Sequence, residues 1–268
     1  SALRVALIAI MNMHSRFVED VHVSSPFADC RYRWPHLMED SMAITTCVFD
    51  AYGTLFDVAS AARQAASRPE NSEIAENWAK LAGDWRLKQL QYSWLRAVMG
   101  AHTDFWQVTQ DGLDWAMEAN GVSGARLRKD LLDLYWSLAA YEEVPAMLAA
   151  LKAAGLNTAI LSNGSPDMLE GAVVSAGLSD RLDAVLSVES VGIFKPDRRV
   201  YDLVGSHFGC QVGEVLFVSS NGWDAAAAAE YGFATAWANR SGEPVDRLSW
   251  TPHSKFRDLT GIPSIAGV

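Results

Sequence analysis

Thr46-Cys47-Val48-Phe49-Asp50-Ala51-Tyr52-Gly53-Thr54 is the stretch from which the fold can be read. Four residues suited to a buried strand end in a carboxylate. Gly53 then allows a sharp turn that brings the Thr54 hydroxyl back toward Asp50. Ligands of open α/β sheets gather beyond the carboxyl ends of the strands, so an aspartate at such a tip is placed to act as a nucleophile. Taken alone, the stretch reads equally well as a strand, a turn and a solvated Asp50.

Outward from this strand, short apolar runs alternate with helical periods. The pattern predicts strands at 44–49, 156–163, 184–188, 214–220 and 234–238, and helices at 145–154, 168–176, 198–208 and 225–231. Strict alternation with continuous apolar strands implies an α/β fold, a Rossmann-like parallel sheet covered on both faces. Between the first two strands, residues 58–138 carry no strand signal. Trp78, Leu81, Trp85, Leu87, Leu90, Trp94 and Val98 recur at helical spacing, and further helical periods follow at 111–119 and 127–138. This predicts an inserted all-helical cap, leaving 44–57 and 139–268 as the core. Residues 1–43 mix Arg, His, Trp and acids without periodicity and are read as an N-terminal extension outside the fold.

Composition narrows the function. The 268 residues are half apolar and one-fifth charged, with a net charge of −10. A general nucleic-acid binder needs a basic footprint, and an anionic membrane surface has nothing to attract here. Cys30, Cys47 and Cys210 are isolated, which indicates neither a disulfide framework nor a zinc site and fits a reducing cytoplasm. The six histidines are scattered without metal-ligand spacing, so ligation of a metal through histidine is not expected.

Three further segments end or follow strands. Ser162-Asn163-Gly164-Ser165-Pro166 reads plainly as a turn with Ser165 capping a helix and Pro166 in its first position; alternatively, Ser162 and Asn163 hold an anion at the helix start. Lys195-Pro196-Asp197 carries a lysine that is ordinarily a solvated surface residue. In Ser219-Ser220-Asn221-Gly222-Trp223-Asp224, Asn221 and Asp224 have the spacing of a capping box that needs no catalysis. A parallel sheet brings all four tips to one edge. Two carboxylates, one lysine and several hydroxyls then make a site of what would otherwise be four coincidences.

With these four ordered motifs the chain resembles the haloacid dehalogenase superfamily over about residues 44–250, and within it the L-2-haloacid dehalogenases. The cap run Asp84-Trp85-Arg86-Leu87-Lys88-Gln89-Leu90-Gln91-Tyr92-Ser93-Trp94-Leu95-Arg96 and the run Phe194-Lys195-Pro196-Asp197-Arg198-Arg199-Val200-Tyr201 carry the closer likeness. Two departures from the superfamily's phosphatases bear on the reaction. Where those enzymes place an acid two residues after the nucleophile stands Tyr52, a far weaker acid. Where they place Gly-Asp beside Mg²⁺ stands Ser220-Asn221, and an amide is a poorer ligand for a hard dication.

The resemblance implies metal-independent hydrolysis, with no cofactor, of short L-2-haloalkanoic acids, haloacetates and 2-halopropionate, through an aspartyl ester, to 2-hydroxy acids of inverted configuration, with halide released. The alternative is a Mg²⁺-dependent phosphohydrolase of the same superfamily. It implies Asp50 as nucleophile, Lys195 as the charge that keeps it ionised, Asp224 as base, and Thr54, Ser219 and Asn221 as groups that steer carboxylates and water. Tyr201 would support Lys195 or Asp224. Arg86, helped by Asn221, would receive the halide, while Ser162, Asn163 and the amides of Ala51 and Tyr52 would hold the substrate carboxylate. Tyr52, Leu90, Phe105 and Trp223 would wall the α-substituent, with Leu87, Leu90 and Trp223 setting the pocket's dimensions. A homodimer formed through cap helices is also implied.

Overall fold

The computed structural model describes residues 43–268. All of the predicted extension except Ala43 therefore lies outside the described residues. Strand β1 (Thr46–Phe49) forms where β-branched and aromatic side chains cluster, and each of its residues is buried. It pairs in parallel with β2 (Asn157–Ser162) on one side and β4 (Val215–Ser219) on the other. β3 (Ala184–Ser187) adds beyond β2, and β5 (Ala234–Ala238) beyond β4. The sheet is parallel throughout, in the order β3-β2-β1-β4-β5-β6. Its last member, β6 (Ser254–Phe256), is absent from the sequence-based expectation because three residues are too few to display a period of two.

The order reverses between β1 and β4, which opens a crevice at their carboxyl ends. Phe49 is in register with Ile160 and Val218, and the Asp50 amide donates to the Val218 carbonyl at 2.9 Å. Asp50 thus continues the ladder by one bond before the chain turns. Gly53 takes φ +87°, and its amide donates to the Phe56 carbonyl at 2.8 Å. A β-carbon there would stand 3.1 Å from Ser220 Oγ, so both the angle and the close approach call for glycine.

Four helices occupy the insertion: α1 (Ser60–Ala66), α2 (Trp78–Met99), α3 (Phe105–Ala119) and α4 (Ala125–Trp136). α3 begins six residues before the predicted start at 111, because Asp104 caps it by accepting from the Gln107 amide at 2.9 Å. α2 ends at Gly100 in the left-handed conformation. It buries Leu81, Trp85, Gln89 and Ser93, a stripe at four-residue spacing, against α3. Gly112 of α3 permits the approach, since a β-carbon would lie 3.4 Å from both Trp85 and Gln89. Polar groups in this seam are paired: Trp85 Nε1 donates to the Thr109 carbonyl at 2.8 Å, and Gln89 Nε2 to Thr109 Oγ1 at 3.0 Å.

The remaining helices, α5 (Val144–Ala153), α6 (Pro166–Ser175), α7 (Arg198–Phe208), α8 (Gly222–Tyr231) and the short α9 (Ile262–Ile265), connect or follow the strands. Pro166 takes the first turn of α6 as expected, whereas the Ser165 side chain makes no capping bond. Gly171 on α6 carries α4 from the insertion: a β-carbon there would sit 2.5 Å from Trp136 Nε1 and 3.2 Å from the Trp136 carbonyl. Intrinsic propensity favours alanine over glycine in a helix by about 1 kcal/mol, and overpacking costs about 1–3 kcal/mol. Gly171→Ala is therefore expected to lower stability in chemical denaturation by up to about 2 kcal/mol, against the propensity rule; a stabilised variant would show that α4 does not rest on this contact.

Candidate active site

Each strand of the crevice delivers polar groups to one point. Asp50 follows β1, and Asp224 lies in the first turn of α8, which leaves β4. Lys195 sits just before α7, and only 1% of it is exposed. Its Nζ donates to Asp50 Oδ1 at 3.3 Å and to Asp224 Oδ2 at 2.9 Å. One ammonium thus joins two carboxylates that no sequence proximity brings together.

The other carboxylate oxygens are also engaged. Asp50 Oδ2 accepts from Thr54 Oγ1 at 3.0 Å and from Asn221 Nδ2 at 3.1 Å. Asp224 Oδ1 accepts from the Tyr201 hydroxyl at 2.8 Å, so Tyr201 serves Asp224 rather than Lys195. The Thr54 hydroxyl itself accepts from the Ser220 amide at 2.8 Å and lies 3.1 Å from Ser220 Oγ. Ser219 Oγ accepts from the Asn221 amide at 3.1 Å, which sets the turn into α8.

The capping-box reading of Asn221 and Asp224 does not hold. Asn221 is the N-cap residue of α8 but makes no side-chain cap bond, because its amide group faces Asp50. Asp224 is fully buried, with its carboxylate on Lys195 and Tyr201. Asn163 accepts from the Lys195 amide at 2.9 Å and so secures the lysine's backbone, and Ser162 Oγ accepts from the Gly164 amide at 3.0 Å.

The insertion closes the site from above. Arg86 Nη2 of α2 donates to the Tyr52 carbonyl at 3.0 Å and to Asn221 Oδ1 at 3.3 Å. Leu90, one turn on, joins Arg86, Phe105, Tyr52 and Trp223 around a small, tightly enclosed cavity. Its floor is formed by Asp50, Lys195, Ser162, Asn163 and Asn221. Tyr52 stacks between Phe105 and Tyr135, with centroids 6.1 and 5.6 Å away. Phe105 is both a cavity wall and core, being 2% exposed. Leu87 corrects the expectation made for it: it is 57% exposed and does not line the cavity, since its position on α2 points away from Leu90.

Burial governs the charges. Desolvation alone would push the Lys195 ammonium down, but Asp224 and Asp50 together outweigh it and raise its pKa. Burial raises Asp224, with Lys195 opposing and Asp50 adding to the rise. The Tyr52 phenol is pushed well above its ordinary value, first by burial and then by Tyr135 and Asp50. It therefore keeps its proton across the working pH range.

Two contributors were not expected from the sequence. Arg240 Nη2 donates to the Thr54 carbonyl at 2.9 Å and pairs with Glu143 at 2.7 Å, pinning the turn after Asp50 from far along the chain. Ser220 meets Thr54, although its place in the fourth motif could have suggested it.

A parallel sheet with this crevice, an inserted helical lid and a carboxylate at the tip of β1 defines a hydrolase of the haloacid dehalogenase-like class. The chain belongs to the haloacid dehalogenase-like hydrolase family, whose model matches residues 44–232. More particularly, it is 41% identical over 223 residues to (S)-2-haloacid dehalogenase 1 of Pseudomonas sp. (strain CBS-3), spanning 83% of this chain and 96% of that one. It is likewise 41% identical over 215 residues to (S)-2-haloacid dehalogenase of Pseudomonas sp. (strain YL), spanning 80% and 90%. Among solved structures, the L-2-haloacid dehalogenase of Xanthobacter autotrophicus with chloropropionic acid covalently bound superimposes with a TM-score of 0.73 at 35% identity, covering 84% of this chain and 98% of that one.

The raised Lys195 pKa has a consequence for stability. The fold holds this proton more tightly than the unfolded chain, so the associated stability is complete below the ordinary value of 10.5 and is lost as pH rises through the folded value. Urea unfolding of the wild type and of Lys195→Met should differ by about 3–5 kcal/mol near pH 8, because the variant leaves two buried carboxylates unpaired. That gap should stay level up to about pH 10 and narrow above it; a gap independent of pH would show that the ammonium is not what the fold requires.

Proposed function

We propose that this chain hydrolyses short-chain L-2-haloalkanoic acids to 2-hydroxy acids through an ester on Asp50, without a metal. The observation that carries the reading is the Lys195 ammonium held between Asp50 and Asp224 under Arg86. An Asp50 oxygen attacks the α-carbon from the face opposite the halogen. A carbon–oxygen bond forms, the carbon–halogen bond breaks, and halide leaves with the bonding pair. Arg86, permanently charged, and Asn221 meet the charge that develops on the halogen. Water then attacks the Asp50 ester carbonyl, and Asp224 accepts its proton. The acyl–oxygen bond breaks, and the hydroxy acid departs with the oxygen that Asp50 contributed. Asp50 is left with an oxygen from water.

Other residues have supporting roles in this scheme. Ser162, Asn163 and the Ala51 and Tyr52 amides take the substrate carboxylate, while Tyr52, Leu90, Phe105 and Trp223 enclose the α-substituent. Thr54 and Ser219 orient Asp50 and Asn221, and Tyr201 orients Asp224. The covalent chloropropionic acid in the Xanthobacter autotrophicus structure supports an enzyme-bound intermediate by likeness. Halide needs no proton to leave, which accords with a Tyr52 phenol too weak to supply one.

A Mg²⁺-dependent phosphohydrolase is the weaker reading. Asn221 presents its N–H, not its oxygen, to Asp50. Single turnover of 2-chloropropionate in ¹⁸O water should place the label in the peptide carrying Asp50. Halide release should persist in excess chelator, and Asp50→Asn should abolish it. Label appearing directly in the first hydroxy acid would overturn the ester.

We also assign the chain to a homodimer and to the cytoplasm. Leu87, Leu95 and Met99 of α2 are exposed apolar side chains on the insertion, and Cys47 and Cys210 are unpaired thiols. Light scattering should give twice the chain mass for the wild type and a monomer for Leu95→Lys/Met99→Lys. An unchanged mass in the double variant would remove α2 from the interface.

A further inference from the structure

Helix α2 carries a second stripe beside its buried one: Arg86, Leu90 and Trp94, each a turn apart. The first two line the catalytic cavity, but Trp94 does not. It meets Trp223 edge-on instead, with ring centroids 5.3 Å apart at an interplanar angle of 88°. Behind Trp223 lies an open apolar groove of about 720 Å³, lined by Trp94, Ala97, Ile193, Phe194 and Leu248 among others. Trp223 is common to the linings of groove and cavity, and no other residue is. It is the partition between them.

Nothing polar fixes that partition. The indole N–H groups of Trp94 and Trp223 are both buried, and neither has a hydrogen-bond partner. Trp223's indole orientation therefore rests on packing, and the edge-to-face contact with Trp94 is its specific component. Ala97, the next α2 residue toward the groove, is small and leaves space where an aliphatic chain would run.

We propose that Trp94 is a specificity-determining positioning residue: by bracing Trp223 it closes the cavity to long α-substituents, and the groove behind is the subsite an alkyl chain enters when the brace is removed. The proposal rests on the dehalogenase reading for its substrate class, 2-haloalkanoic acids of increasing chain length. No step of the chemistry changes.

The test compares kcat/KM for 2-bromooctanoate with that for 2-bromopropionate. Trp94→Ala is expected to raise this ratio at least tenfold over wild type. Trp94→Phe, which restores an aromatic edge, should return it toward the wild-type value. Adding Ala97→Phe to Trp94→Ala places a ring on the α2 wall of the groove beside the partition and should cancel the gain. A purely structural role for Trp94 would lower both substrates alike and leave the ratio unmoved, which overturns the proposal. So would a gain that survives Ala97→Phe. Calorimetric binding of octanoate against propionate reads the groove without carbon–halogen chemistry. Trp94→Ala should favour octanoate at least tenfold more than wild type does, and an equal preference in the two proteins refutes the subsite. Absence of any halide release from wild type would count against the dehalogenase reading, and the binding comparison would still decide the groove.

Discussion

A single ammonium, buried between two carboxylates, is the constraint on which this molecule turns. Lys195 reaches Asp50 at the end of β1 and Asp224 at the start of α8, so three separate chain segments meet only if the sheet is ordered as it is. Such a cluster is costly to desolvate, and hydrophobic residues would serve stability as well or better. Its cost is offset by completeness: Thr54, Asn221 and Tyr201 supply the remaining donors. The result is a carboxylate held in one orientation inside a closed space, which is what displacement at carbon requires.

The inserted helices turn this edge into an enclosure. Arg86 fastens α2 to the core through the Tyr52 carbonyl and Asn221, so the group proposed to receive the halide also holds the lid in place. Closure keeps water away from Asp50 and strengthens the local electrostatics. The same helix presents Leu90 to the cavity, Trp94 to the partition and Leu95 to solvent, three environments within two turns.

Much of this was legible in the sequence, and the reasons differ by region. The buried parallel strands announce themselves as continuous apolar runs, and β5 and α7 fall on their predicted bounds. The strand tips were legible because topology forces their side chains to one edge. α1 was not anticipated, since a seven-residue alanine-rich segment carries little amphipathic signal. Leu87 was misplaced because helical spacing gives the period of a stripe but not which of two adjacent stripes faces the core. Arg240 could not be found at all, for its partner Thr54 lies 186 positions away and nothing local marks the pair.

The rims of the sheet have a bearing on behaviour at high concentration. An unpaired strand edge is a template on which a second molecule can add its own backbone. Here one rim is the four-residue β3 and the other the three-residue β6, whose central Lys255 points into solvent with its ammonium above the Trp237 ring. Neither offers more than a turn's length of free hydrogen-bonding groups, and a charge guards the second. An all-parallel sheet, slow to assemble because its neighbours are distant in the chain, thereby finishes with margins too brief to seed a fibril.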